Sequence, residues 1–284
     1  MNFMSKIGAI DVGGGFRDIY GCGVLDACLD TGVHFDYCIG VSAGSANMAS
    51  YLAGQRGRNY RFYETYGFRK QYASFRNFLL KRNFVDLDYV YSTLSNEGGE
   101  DPLDWEAFAR NPAEFICVAT HAETGETIYW DKTHTHRNNY DILKASSALP
   151  GVGQPYVVEG VPCFDGGFAD PIPLKKAFAD GCDKVVLILS KTRDTLRTQD
   201  KDRGPAKMIR RRYPRAAEQL LLRWQKYNDG VAYAKQLEQE GKVLIIAPND
   251  TCGVDTLKRT PESMDALYRK GVEDGKTIPA FVEA

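Results

Sequence analysis

Histidine is scarce in this chain. Its 284 residues include four, His34, His121, His134 and His136, and the second half holds none, so chemistry that needs a histidine base is confined to those positions. Paired cysteines are lacking too. The seven, Cys22, Cys28, Cys38, Cys117, Cys163, Cys182 and Cys252, are odd in number, scattered, and never spaced as Cys-x-x-Cys. That excludes an obvious disulfide framework or zinc knuckle and fits reduced, buried thiols. No charge of one sign dominates, with 36 basic against 37 acidic side chains, so nucleic acid is not expected as a partner. No apolar run reaches transmembrane length, and "MNFMSKIGAIDVGGG" passes from one lysine into a short strand rather than a signal-peptide core. The expectation is a soluble, cytoplasmic protein large enough to bury a substantial core.

What is present has a clear order. "KIGAIDV" is a short apolar run ended by three glycines, a buried strand delivering a loop. "DIYGCGVLDACLDTG" follows with apolar residues at helical spacing and Gly32 as its stop. "FDYCIGV" reads as a second strand, and the small-residue run "GSANMASYLAG" as a second helix. Strand, glycine loop, helix, strand, serine turn, helix is a βαβα unit, the mark of a parallel sheet flanked by helices. Farther on, "EFICVATHAETGETIYW" predicts two strands joined at Thr124 and Gly125, and "DKVVLILS" another buried strand. Apolar content collapses over residues 191–204, the best candidate boundary. Beyond it come a long helix opening near Pro214, a strand "KVLIIAP", and a last helix. The aromatic, basic run between about residues 55 and 95, with Tyr60, Phe62, Tyr63 and Tyr72, suits an acyl pocket, a lid or helices packed on the sheet, and packing on the sheet is the expected arrangement.

Three stretches carry chemistry. "GVSAG", residues 40–44, is a Gly-x-Ser-x-Gly turn in which small neighbours, Gly40 and Gly44, let strand and helix approach while the turn lifts Ser42 clear. "DVGGGFRD" places Gly13, Gly14 and Gly15 between strand and helix, freeing N–H groups to face an anion, with Arg17 beside them. It lacks the sixth-position glycine of a dinucleotide fingerprint and the Gly-Lys-Ser/Thr of a phosphate loop. A phosphate or the oxyanion of an ester's tetrahedral intermediate both fit. In "CFDGGFADPIP" a strand ends at Asp165 ahead of Gly166 and Gly167. An aspartate of ordinary pKa, about 3.9, is ionised at neutral pH and can take a serine proton without histidine. The histidines themselves suit a triad poorly, because Ser42 follows only the second strand. "HTH" at 134–136 has no third ligand pattern, so no metal is expected.

Taken together, "GGGFRDIYGCGVLDA", "GVSAGS" and "ASSALPGVGQPYVVEGVPCFDGGFADPIPL", in this order over about residues 7 to 190, resemble the patatin-like phospholipase family of serine acyl hydrolases. The resemblance implies an α/β three-layer sandwich with a mostly parallel central sheet, and a Ser-Asp dyad of Ser42 as nucleophile and Asp165 as general base. It implies an oxyanion hole shaped by Gly13, Gly14 and Gly15 with Arg17 beside it, no cofactor, and a phospholipid or other acyl ester as substrate. The chain then divides into an acyl hydrolase domain, 1–193, and a small α/β C-terminal extension, 194–284.

One residue departs from the family pattern: Asp18 stands where the loop usually ends in glycine. If the position needs positive φ, aspartate is disfavoured, and a carboxylate near the hole would oppose an oxyanion. That motivates an alternative, a non-catalytic or weakly active lipid- or anion-binding protein. Residues 201–226 add nine lysines and arginines against Asp202 and Glu218, either a solvated helix face or a patch for an anionic membrane surface.

Overall fold

The computed structural model describes residues 5–81, 83–150 and 153–284; residues 151 and 152, within the third motif, lie outside them. The described strands are β1 (Ile7–Asp11), β2 (Tyr37–Val41), β3 (Glu114–His121), β4 (Thr127–Asp131), β5 (Tyr156–Val158), β6 (Val161–Asp165), β7 (Lys184–Ile188) and β8 (Val243–Ile246). The α-helices are α1 (Ile19–Thr31), α2 (Ala43–Leu52), α3 (Arg58–Glu64), α4 (Phe75–Lys81), α5 (Trp105–Arg110), α6 (Asp141–Ser146), α7 (Leu174–Ala179), α8 (Asp200–Ile209), α9 (Pro214–Gln239), α10 (Pro261–Gly275) and α11 (Ile278–Glu283).

Strands β3, β2, β1, β7 and β8 lie side by side and parallel, while β4, β5 and β6 add antiparallel pairings on the β3 side. The central strands are buried along their whole length, as expected when helices cover both faces. Alternation sorts their side chains. Ala9, Cys38 and Cys117 join the core that includes residues of α1, α2, α6 and α10, whereas Ile10, Ile39 and Val118 face the core built with α7 and α9. The result is the expected α/β three-layer sandwich.

The segment after residue 193 shares this sheet. Strand β8 pairs with β7 from Val185↔Val243 to Ile188↔Ile246, α9 covers one face, and α10 lies against α1. There a Cβ on Gly271 would sit 2.1 Å from the Tyr20 carbonyl oxygen, and one on Gly23 would sit 2.3 Å from that of Tyr268. Only glycine allows that approach. The stretches 1–193 and 194–284 therefore share one sheet, and the second braces the helix that begins at the glycine loop. The C-terminal ends of β1, β2 and β7 open on one edge, where α/β sheets place their ligands.

Candidate active site

Ser42 follows the last residue of β2 and caps α2, with φ 57° and ψ −129°. A non-glycine residue seldom adopts this conformation, which costs about 1–3 kcal/mol. Close packing holds it. A Cβ on Gly40 would lie 2.2 Å from Ser45 Cα, and one on Gly44 would lie 2.3 Å from the Asp11 carbonyl oxygen. The Ser42 N–H donates to Ser146 Oγ at 2.8 Å, and Ser45 donates its N–H and hydroxyl to the Ser42 carbonyl.

Asp165 reaches Ser42 through register. Strand β4 occupies one flank of β3, pairing across residues 116–120, so β2 and β6 share the other flank. They run toward each other. β2 ends with Val41 opposite Val118, and β6 ends with Asp165 opposite Ala119, one register step of about 3.3 Å away. Gly166 makes room, since a Cβ there would lie 2.2 Å from the Val118 carbonyl oxygen. The Asp165 carboxylate is 3% exposed and accepts the Gly167 N–H at 2.8 Å. Burial pushes this carboxyl above the usual carboxylate range; a hydrogen bond from Ser42, the Arg223 charge, the Gly167 N–H and the Arg197 charge pull it back.

The glycine loop lies against both. Gly13, Gly14 and Gly15 have φ of 67°, 148° and 62°, and a Cβ on Gly13 would meet the Val41 carbonyl oxygen at 2.1 Å. The three glycines are not equivalent. The Gly13 N–H is taken by Asp11 Oδ1 at 3.1 Å, while the N–H groups of Gly14 and Gly15 have no acceptor among the described residues. Arg17 is a tether. Its Nη1 pairs with Asp255 and donates to Thr256 Oγ1, and the Phe16 N–H donates to the Thr256 carbonyl.

Asp18 corrects both expectations attached to it. Its φ is −77°, so the position needs no left-handed backbone. Its carboxyl is fully buried and turned to Asp11 and Asn47, whose Nδ2 donates to Asp11 Oδ2, Asp18 Oδ2 and the Asp18 carbonyl, each at 3.0 Å. Burial first, then the Asp11 charge, holds the Asp18 carboxyl well above the usual carboxylate range. The surroundings thus favour the protonated form of Asp18, an acid buried beneath the loop rather than a charge at its open side.

Ser42 opens onto a cavity of about 190 Å³ lined by Phe16, Phe62, Tyr63, Tyr72, Val90 and Leu149 among others. Here the aromatic run serves two of the roles open to it: Tyr63 joins the core and Tyr60, Phe62 and Tyr72 pack against it, while Phe16, Phe62, Tyr63 and Tyr72, mostly edge to face, form a wall of the cavity. Helical spacing shows that a face is covered, not what covers it.

The family model described as "Patatin-like phospholipase" matches residues 12–178, well over half of the chain. The chain belongs to the patatin-like phospholipase family. A "Domain of unknown function (DUF6363)" model matches residues 213–280, from the start of α9 to α11. Among curated relatives, "Uncharacterized protein YjjU" of Escherichia coli is 28% identical over 189 residues, 64% of this chain and 51% of that protein. "Lysophospholipase NTE1" of Yarrowia lipolytica is 27% identical over 184 residues, 64% of this chain and 12% of that protein. The match thus spans about half of one relative and a small part of the other. The solved structure of VipD from Legionella pneumophila superposes over 99% of this chain and 67% of its own with a TM-score of 0.48 at 14% identity.

Within the patatin-like region the histidines stand elsewhere. His121 Nδ1 accepts the Glu123 N–H, and His134 pairs with Glu159. No group of three or more metal-binding side chains gathers among the described residues. Of the basic run 201–226, Arg223 turns inward to Asp202 and Lys226 to the Ala169 carbonyl, while Arg203, Lys207 and Arg210–Arg212 face solvent. Asp11, Asn47 and Ser146 are the site neighbours that sequence reasoning missed. The signal for Asp11 lay in the acid that ends β1 directly before the loop, whereas Asn47 and Ser146 resemble any small polar residue of a helix.

Proposed function

We propose that this chain is a serine acyl hydrolase of lipid esters. Ser42 Oγ attacks the ester carbonyl as its proton passes to Asp165, and the oxyanion accepts the N–H groups of Gly14 and Gly15. The carbon–oxygen bond to the alcohol then breaks and Asp165 returns the proton to the departing oxygen. Water attacks the acyl-enzyme, gives a proton to Asp165 and restores Ser42 as the fatty acid leaves. The acyl chain occupies the aromatic-lined cavity. Gly13 keeps the loop in register through Asp11, and Arg17 anchors it to the chain after β8.

The observation that carries this reading is the meeting of the Ser42 hydroxyl with a buried carboxylate at the mouth of an apolar cavity, without a histidine. Phospholipids and lysophospholipids are the first substrates to consider, from the family and from the name of the Yarrowia relative, a lysophospholipase. Helix α4 beside the cavity exposes Leu79 and Leu80 by 67% and 71%, which suits contact with a lipid surface. No helix of the described residues is long and apolar enough to cross a membrane. Incubating the protein with a mixed lipid extract should release free fatty acid, and Ser42→Ala should not; equal release by the variant refutes the proposal.

A further inference from the structure

Three consecutive glycines give the loop wide backbone freedom and no side chains with which to hold itself. Its N–H groups stabilise an oxyanion only if they are already aimed, so their direction must be set from outside. Gly13 is set by Asp11 and by close packing on Val41. Gly15 and the two residues after it are set by the stretch between β8 and α10, which lies beyond the patatin-like region in the part matched as a domain of unknown function. Both ends of that stretch are fixed. Strand β8 pairs with β7, and α10 opens on a capping box between Thr260 and Ser263 before it packs on α1. Within it the Asp255 N–H donates to the Lys258 carbonyl at 2.9 Å, and Asp255 Oδ1 accepts the Thr256 N–H at 2.8 Å.

This stretch grips two parts of the site. One is the glycine loop. The Thr256 carbonyl accepts the Phe16 N–H at 3.2 Å, a Cβ on Gly15 would lie 2.7 Å from the same oxygen, and Asp255 and Thr256 Oγ1 hold the Arg17 guanidinium. The other is the aromatic wall. The Arg259 guanidinium stacks over Phe16, 3.5 Å from its ring centroid, lies 4.8 Å from the Phe68 centroid, and donates to the Gly67 carbonyl. Phe16 is therefore held twice, at its N–H by Thr256 and at its ring by Arg259. Between the two grips, Thr256 and Leu257 line the same cavity as Ser42, Gly15 and Phe16.

We propose that residues 255–259 are a component of the active site. Asp255 and Thr256 are positioning residues that aim the Gly14 and Gly15 N–H groups, and Leu257, with Phe16 held by Arg259, is a wall that selects the acyl chain. These roles rest on the acyl hydrolase reading for the ester at Ser42. In this chain the C-terminal stretch then completes the oxyanion hole and the cavity, and a displacement of the loop by about 1 Å would cost on the order of 10²-fold in rate.

The test compares the full chain with Asp255→Ala, Asp255→Asn and Leu257→Ala. Steady-state kinetics on a short-chain and a long-chain ester are expressed per site titrated by a fluorophosphonate, which removes any loss of folded protein from the comparison. Amide hydrogen exchange is followed at Phe16, whose N–H Thr256 accepts, and along β2 and β3. Asp255→Ala should lower kcat on the order of tenfold on both esters, with KM changed by less than about twofold, and should speed exchange at Phe16 but not in the strands. Asp255→Asn, which keeps an acceptor for the Thr256 N–H and for Arg17, should recover most of that kcat. Leu257→Ala should instead lower the long-chain to short-chain ratio of kcat/KM by about fivefold or more. Wild-type kcat and wild-type exchange at Phe16 in Asp255→Ala would overturn the positioning role, and an unchanged ratio in Leu257→Ala would overturn the wall. If the wild type hydrolyses neither ester and is not labelled at Ser42, the hydrolase reading falls, while exchange at Phe16 in Asp255→Ala still decides whether the C-terminal stretch holds the loop.

Discussion

Asp165 and Asp18 are both sunk into the same edge of one sheet, and burial raises both carboxyls. Their neighbours differ. Asp165 meets a hydroxyl, a backbone N–H and the fields of two arginines, all of which favour its charge. Asp18 meets another acid, whose charge and hydrogen bond favour its proton, against the single opposing charge of Arg17. Burial alone does not make a base; the charges and donors around the buried group decide whether it is ionised when the serine needs it.

The strongest way to break this contrast is to neutralise each acid in turn. Asp165→Asn keeps the shape and removes the proton acceptor, so kcat/KM on a short-chain ester should fall by about 10³-fold or more, as for Ser42→Ala. Asp18→Asn keeps a donor toward Asp11, and its kcat/KM should stay within about threefold of wild type. A large loss there would mean that Asp18 takes part in the chemistry.

The loop between the two acids offers the next test. In Gly14→Ala a Cβ must enter where Ser190 Oγ lies 2.2 Å away, at φ 148°. Displacing the Gly14 N–H should lower kcat by about 10²-fold with a smaller change in KM, read from steady-state kinetics.

Stability against pH separates the acids more finely. Asp18 has a folded pKa above its unfolded value, so above pH of about 4 the unfolded chain loses a proton that the folded one retains. The folded state then loses up to about 1.4 kcal/mol per pH unit until Asp18 itself ionises. Asp18→Asn abolishes that slope. Its urea midpoint should match wild type near pH 4 and exceed it increasingly toward pH 8.

The smallest expected effect concerns the arginines. Arg223→Gln, made with Asp202→Asn so that no buried acid is stranded, removes one charge that favours ionised Asp165. The acid limb of kcat/KM, which requires that carboxylate, should move to higher pH, read from the full pH profile.

Much of the frame was legible because each part was local. The strand, glycine loop, helix, strand and serine turn from Ile7 to Leu52 follow from apolar spacing and small residues, and the hairpin at Thr124 and Gly125 from its turn. The site itself depends on distant matches. Asp165 faces Ser42 only because β6 and β2 approach head-on along β3, a register no window of sequence contains. Asp18 raised concern because its chain neighbours were visible, while Asp11, whose charge favours its proton, comes from β1 and Asn47, which bonds both acids, from α2. Residues 191–204 read as a boundary because they are polar; folded, they lead from β7 into the helices that return the chain to the same sheet at β8.

The most direct measurement is covalent labelling by a fluorophosphonate, with the modified peptide located by mass spectrometry and the rate followed in wild type, Asp18→Asn and Asp165→Asn. The account predicts modification at Ser42, at a similar rate in Asp18→Asn and about 10³-fold more slowly in Asp165→Asn. Labelling at another residue, or an Asp165→Asn protein labelled as fast as wild type, would contradict it.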